Sequence, residues 1–223
     1  MTPPPGKSSK HITTNVVLTN ELIQSRIASF HPALTDIQVD QVQKYVSLLL
    51  LWNQKISLTS IENPQEMVSR HFGESFFGAK FIENVGCRLA DVGSGAGFPG
   101  LALKIALPEL QVSLIEQDTR KAAFLNEVIR ALKLEGAKVY RSSYEALPPE
   151  IAKFDVIAAR AIGDHKSLLK WAASRLGEPG QAVLWIGAEG AARLSELPNW
   201  KWSLPRAIPE SKNRVLLSGV PAK

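Results

Sequence analysis

Three glycines on alternate positions, Gly93, Gly95 and Gly97, directly follow the short apolar stretch Leu89 to Val92. Phe98 and Pro99 come next, then Gly100 and the apolar series Leu101, Leu103 and Ile105. A strand that runs into a glycine turn and then a helix is the layout of a nucleotide-cofactor loop in a doubly wound sheet. Glycine is required there because the backbone must turn sharply and approach a ligand with no Cβ in the way. Pro99 suits the first helical turn, which does not use its missing N–H. An ordinary Gly-rich turn would share the glycines, but not the strand before them, the helix after them and an acid further on.

That acid is Glu116, 21 residues after Gly95, at the end of the next apolar segment, Val112 to Ile115. An acid at the end of a buried parallel strand has no packing reason to be there, and it stands where it would reach a ribose diol. Two cofactor classes fit. Gly95, Gly97 and Gly100 spell the dinucleotide fingerprint, which predicts nicotinamide chemistry. S-adenosylmethionine uses the same ribose acid without a pyrophosphate, and its methionine end lies along the turn, so glycine is needed directly after the strand, as at Gly93.

Other residues invite plainer readings. Asp91, within the first strand, is expected to brace the glycine loop through its backbone N–H groups. Arg70-His71 reads as a pair facing a substrate or as a polar helix turn, and Phe98 as a site aromatic or a core residue. Four histidines without ligand spacing and a single cysteine, Cys87, give neither a metal site nor a disulfide framework. Trp171, Trp185, Trp200 and Trp202 read as core and rim aromatics.

The elements that must position these groups follow from periodicity. Leu22, Ile23, Ile27 and Phe30 predict a first helix stopping at His31-Pro32. Thr35 with Gln38 makes a capping box for a long amphipathic helix towards Trp52. Pro64 to Arg70 continues helical into Phe76, Phe77 and Phe81. Beyond the loop, strands are expected at Val112–Glu116, Ala137–Arg141, Phe154–Ala159 and Ala182–Ile186, the last after a Pro179-Gly180 turn. Helices are expected at Thr119–Leu132 and Ser167–Leu176. Trp200–Pro209 and Arg214–Leu217 would close the sheet as an antiparallel pair. This alternation predicts an α/β fold with a doubly wound, mainly parallel sheet. The expected division is a disordered tail (1–15), a helical N-terminal cap (16–86) and an α/β domain (87–223) forming one compact unit with the cap.

With 223 residues, 45% of them hydrophobic, the chain can bury one sizeable core. A net charge of +5 permits a nucleic-acid partner without demanding one. The basic residues form no dense run. No apolar run approaches the ~18 residues of a membrane span, and the N-terminus lacks an apolar signal core. A soluble, cytoplasmic, monomeric protein without a metal is expected.

Four segments carry a resemblance to a known family: Trp52-Asn-Gln-Lys-Ile-Ser-Leu-Thr-Ser60, Met67-Val-Ser-Arg-His-Phe72 with Ser75, Asp91-Val-Gly-Ser-Gly-Ala-Gly-Phe-Pro-Gly100, and Ala159-Arg-Ala161. Together they closely resemble the bacterial RsmG (GidB) family over roughly residues 40 to 217. The resemblance implies a class I, Rossmann-like methyltransferase. It would transfer a methyl group from S-adenosylmethionine to nitrogen 7 of a guanine in 16S ribosomal RNA, on the free RNA or the small subunit. It further implies that Gly93 and Phe98 line the methionine and sulfonium end of the donor, that Gly95 and Gly97 belong to the cofactor-binding loop, that Glu116 holds the ribose, and that Tyr144 and Glu145 present backbone and side chain to the adenine. Arg160 is the implied site arginine, serving both donor and acceptor, and Arg70, His71 and Arg214 would face the RNA. The chain departs from the family pattern at Ser57, Ser143, Ile186 and Asn213. The alternatives are a family relative that has lost or changed its RNA target, and a nicotinamide-dependent oxidoreductase.

Overall fold

A computed structural model describes residues 18–82 and 86–222. The tail expected at 1–15 lies outside the described residues. Helix α1 (Asn20–Ile27) is capped by Thr19, and α2 (Asp36–Asn53) begins with the anticipated box, Thr35 and Gln38 each satisfying the other's backbone N–H. The third helical segment changes pitch three times: α3 (Pro64–Met67), a π-helical turn (Val68–Gly73), α4 (Glu74–Phe76) and a 3₁₀ turn (Phe77–Phe81). Such π turns are rare and recur at functional sites. This one carries Arg70 and His71.

The α/β part runs β1 (Arg88–Val92), α5 (Gly100–Ala106), β2 (Gln111–Ile115), α6 (Thr119–Leu132), β3 (Ala137–Tyr140), β4 (Phe154–Arg160), α7 (His165–Arg175), β5 (Leu176–Gly187), α8 (Ala188–Ser195), β6 (Trp200–Trp202), β7 (Arg206–Ala207) and β8 (Arg214–Pro221). The sheet order is β3-β2-β1-β4-β5-β8-β6, with β7 also on β8. Pairings from β3 across to β5 are parallel, and β8 is antiparallel to its neighbours. The order reverses direction beside β1, which puts a ligand crevice at the carboxyl ends of β1 and β4.

Three segments differ from expectation, and the first is the strand expected at Trp200–Pro209, which is broken into β6 and β7 by residues 203–205. β5 begins at Leu176 rather than Ala182, so Pro179-Gly180 lies inside it. Phe154 pairs with Leu176 and Val156 with Gln181, so the residues between bulge out of the ladder. Helix α8 lies between the strands expected at Ala182–Ile186 and Trp200–Pro209, where no element is expected. In the structure Gly190 lets α8 lie so close to β5 that a Cβ there would stand 2.7 Å from Ile186 Cδ1.

Side-chain alternation sends each strand into two cores. Leu89, Leu114, Val156 and Ala158 pack with α1, α2, the 64–81 segment, α5 and α6. Ala90, Val92, Ile115, Ile157 and Ala159 pack with α7 and α8. The N-terminal helices thus share a core with one face of the sheet. Among the described residues, no helix is long and apolar enough to cross a membrane.

Candidate active site

The glycine loop leaves β1 under tight hydrogen bonding. Gly93 and Ser94 donate to Ile115 O, Gly97 donates to Ser94 O, and the Ser94 hydroxyl donates to Asp91 O. Gly93, Gly95 and Gly97 have φ of +67°, +55° and +86°, the left-handed region that glycine enters at no steric cost. At Gly97 a Cβ would also overlap the Tyr45 hydroxyl and stand 3.0 Å from Leu101 Cδ1. Tyr45, on the buried face of α2, donates to Ala96 O at 2.7 Å and pins the loop from the helical side.

Asp91 braces the loop as expected, accepting from the Gly100 N–H at 3.0 Å. Its other oxygen has no partner, and complete burial pushes the carboxyl up to about 7, with the Gly100 hydrogen bond pulling the other way.

Glu116 follows β2 directly. One of its oxygens accepts from the Gly95 N–H and the other from the Asp118 N–H, both at 2.8 Å. The acid therefore couples the glycine loop to the start of α6, and its remaining lone pairs are available to a ligand. Beside it opens a cleft of about 380 Å³ shaped by Gly93, Glu116, Ser143, Tyr144, Glu145 and Ile162. Volume and position suit a small cofactor at the strand carboxyl ends. Tyr144 packs edge-on to Trp171 at 5.3 Å. Ser143, a point of departure from the family pattern, lies on the cleft wall.

The remaining residues expected at the donor stand elsewhere. Gly95 and Gly97 shape the loop from behind the cleft. Phe98 is buried between two rings, stacked on Tyr45 at 5.3 Å and on His71 at 4.7 Å, with Phe72 edge-on. His71 is no open helix turn. Its Nε2 lies 2.8 Å from Thr59 Oγ1, while burial chiefly, then Arg160, Arg70 and Arg214, lower its pKa to about 3. The ring is neutral at physiological pH.

Arg160, at the end of β4, turns away from the cleft. Ala161 has φ +59°, uncommon for a residue with a Cβ, and this turn separates Arg160 from Ile162 on the cleft wall. Arg160 Nη2 donates to Glu74 Oε2 at 3.0 Å and to Arg70 O at 2.9 Å. Arg214 Nη2 reaches Glu74 Oε1 at 2.6 Å, and Arg70 Nε lies 3.2 Å from the same oxygen. Three arginines from distant parts of the chain therefore meet on one carboxylate that is 1% exposed. Glu74 escaped the sequence reading although it sits in the stretch expected to be helical, at i+4 from Arg70. Arg160 Nη1 is buried without a partner.

Comparison with known proteins decides between the two cofactor classes. The family model for rRNA small subunit methyltransferase G matches residues 38–209. The chain belongs to this family. A relative from Dichelobacter nodosus, named ribosomal RNA small subunit methyltransferase G, is 37% identical over 77% of this chain and 80% of its own length. Another so named, from Chromobacterium violaceum, is 36% identical over 81% and 85%. Among solved structures, a ribosomal protein L11 methylase from Lactobacillus delbrueckii superposes with a TM-score of 0.58 at 17% identity, covering 70% of this chain and 80% of that one. An MtNAS variant in complex with S-adenosylmethionine gives 0.56 at 14%, covering 92% and 78%. At those identities the likeness shows the fold, that of class I methyltransferases.

Membership in the methyltransferase G family makes S-adenosylmethionine the cofactor and removes the reason for a nicotinamide reading of Gly95, Gly97 and Gly100. Methyl transfer to a lone pair carries no proton to remove, so the reaction itself needs no general base.

Proposed function

We propose that the chain transfers the methyl group of S-adenosylmethionine to nitrogen 7 of a guanine in 16S ribosomal RNA, acting in the cytoplasm as a monomer without a metal. The observation that carries this reading is the pairing of two sites at neighbouring strand ends. Val92, before the donor loop, is in register with Ala159, before Arg160. In this reading residues 16–86 are a cap that supplies half of the acceptor side to the methyltransferase domain.

S-adenosylmethionine supplies an electrophilic methyl on a sulfonium. Gly93 lets the backbone approach its methionine end, Glu116 accepts from the ribose hydroxyls, and Tyr144 and Glu145 flank the adenine. Gly95 and Gly97 hold the loop in shape, and Phe98 supports it from within the ring stack rather than lining the donor. Nitrogen 7 of guanine offers an in-plane lone pair and no proton, so the protein's task is alignment, worth up to ~7–11 kcal/mol for well-oriented reactants. Arg160 holds guanine oxygen 6 or the adjoining phosphate. Arg70 and Arg214 meet phosphates beside it. His71, neutral and stacked, orients this wall without carrying charge.

The test is incubation with labelled S-adenosylmethionine and small-subunit RNA, followed by nucleoside analysis. Label recovered as 7-methylguanine is expected. Label on another base, or none on free RNA and assembled subunits alike, overturns the reading.

A further inference from the structure

Glu74 is an acid that burial should exclude from the acceptor side. A carboxylate 1% exposed is held there only by its partners, and it has three guanidiniums, at 2.6, 3.0 and 3.2 Å. Its backbone is held too, its carbonyl accepting from Trp185 Nε1 at 2.6 Å. Burial raises its pKa from the usual carboxylate range while Arg160, Arg214 and Arg70 pull it back. Arg70 has a further partner, the half-exposed Glu66 at 3.5 Å, and three guanidiniums against these two carboxylates still leave an excess of positive charge.

We propose that Glu74 is a positioning residue for methyl transfer, fixing Arg160 against the acceptor and limiting the positive charge beside the guanine. The inference rests on the guanine reading above. Two physical arguments carry it. First, three guanidiniums with no central anion would repel one another. Arg160 would lose one of the two acceptors that hold Nη2, keeping only the Arg70 carbonyl, and misplacement of about 1 Å can cost a hundredfold in rate. Second, transfer moves a positive charge from the sulfonium onto the guanine ring, towards the arginines. Each uncompensated unit of charge there opposes that movement in a site of low dielectric. The same charge attracts RNA phosphates. Glu74 therefore weakens RNA attraction slightly and speeds the chemical step, which sets the two quantities against each other.

Glu74→Gln tests this, because the amide matches the carboxylate in size while it removes the charge and turns one accepting oxygen into a donor facing the guanidiniums. Single-turnover transfer at saturating RNA should fall by about tenfold or more. RNA affinity should hold or tighten, with a log–log salt slope no smaller than that of the wild type. S-adenosylhomocysteine affinity should stay within about twofold, because the donor cleft shares no residue with the cluster. Glu74→Asp keeps the charge but shortens the reach, and should transfer at a rate between the two. Wild-type transfer by Glu74→Gln overturns the proposal. So does a parallel loss of transfer, RNA affinity, donor affinity and melting temperature, which would mark a merely structural acid. If Glu74→Gln does not fold, Glu74→Asp decides: wild-type transfer overturns the proposal, and slowed transfer with RNA affinity retained supports it. Failure of the guanine reading is distinguishable, since the wild-type protein would then leave nitrogen 7 unmethylated.

Discussion

Around the donor cleft, the wall is built from the ends of β1 and β2, the loops after β1, β2, β3 and β4, and Lys121 in the first turn of α6, all of them parts of one α/β stretch between Val92 and Ile162. Around Glu74, Arg70 and Glu74 come from the helical segment before the sheet, Arg160 from the end of β4 and Arg214 from the start of β8. One side is therefore a local construction that a doubly wound sheet produces wherever glycine and an acid end its strands. The other exists only when the N-terminal helices, the middle of the sheet and its last strand have all packed. A locally built site tolerates changes in the rest of the molecule and reports on its own residues. A cluster assembled from distant segments forms only when the fold is complete.

The largest expected effect would break the donor side alone. Gly95→Asp puts a second carboxylate beside Glu116, at a position where φ is +55° and the Gly95 N–H is already committed to that acid. Calorimetry should find S-adenosylmethionine binding abolished and the protein still folded. Unchanged affinity would remove the loop from the site.

Glu116→Ala is the next step down. Two charge-assisted hydrogen bonds to a ribose diol contribute ~1.5–3 kcal/mol each, so donor affinity should fall by about tenfold or more while RNA affinity holds. Wild-type donor affinity would reduce Glu116 to the loop tether seen in its bonds to Gly95 and Asp118.

Asp91→Asn sharpens the comparison with the smallest effect on turnover. The amide oxygen can still accept from Gly100, so transfer should stay within about twofold. Stability carries the signal. Asp91 is raised to about 7 from an ordinary 3.8, so the folded state binds its proton more tightly. That contribution is fully present below about 4 and is lost as pH rises through about 7. The asparagine variant should therefore gain on the wild type in melting temperature over that window. A constant difference would mean that Asp91 is ionised in the fold throughout.

The same contrast explains what the sequence disclosed. The loop, Glu116, the Asp91 brace and the Thr35–Gln38 box were legible because each depends on neighbours within a few residues or on one strand–turn–helix unit. α6 matched its expected span because its apolar face repeats cleanly. α8 was missed because Gly190 is chosen for close approach to Ile186, a tertiary demand that looks like a turn signal. β5 was read short because a bulge hides as a Pro-Gly turn. Arg70, Arg160 and Arg214 were singled out separately, but their meeting on Glu74 could not be. Nothing local distinguishes an acid at i+4 from an arginine on a helix surface from one buried beneath three guanidiniums. Phe98 and His71 were likewise visible as residues and invisible as a stack, since Tyr45 and Thr59, which complete it, come from other elements.

The most direct measurement of the division between the two sides is made on Arg160→Ala, with donor affinity and single-turnover methyl transfer determined on the same protein. Transfer should fall by about a hundredfold, as expected when a reactant loses its alignment, while affinity for S-adenosylhomocysteine changes by less than about threefold. A normal rate of transfer, or donor affinity falling in step with the rate, would contradict the assignment of Arg160 to the acceptor and the separation of the two sides.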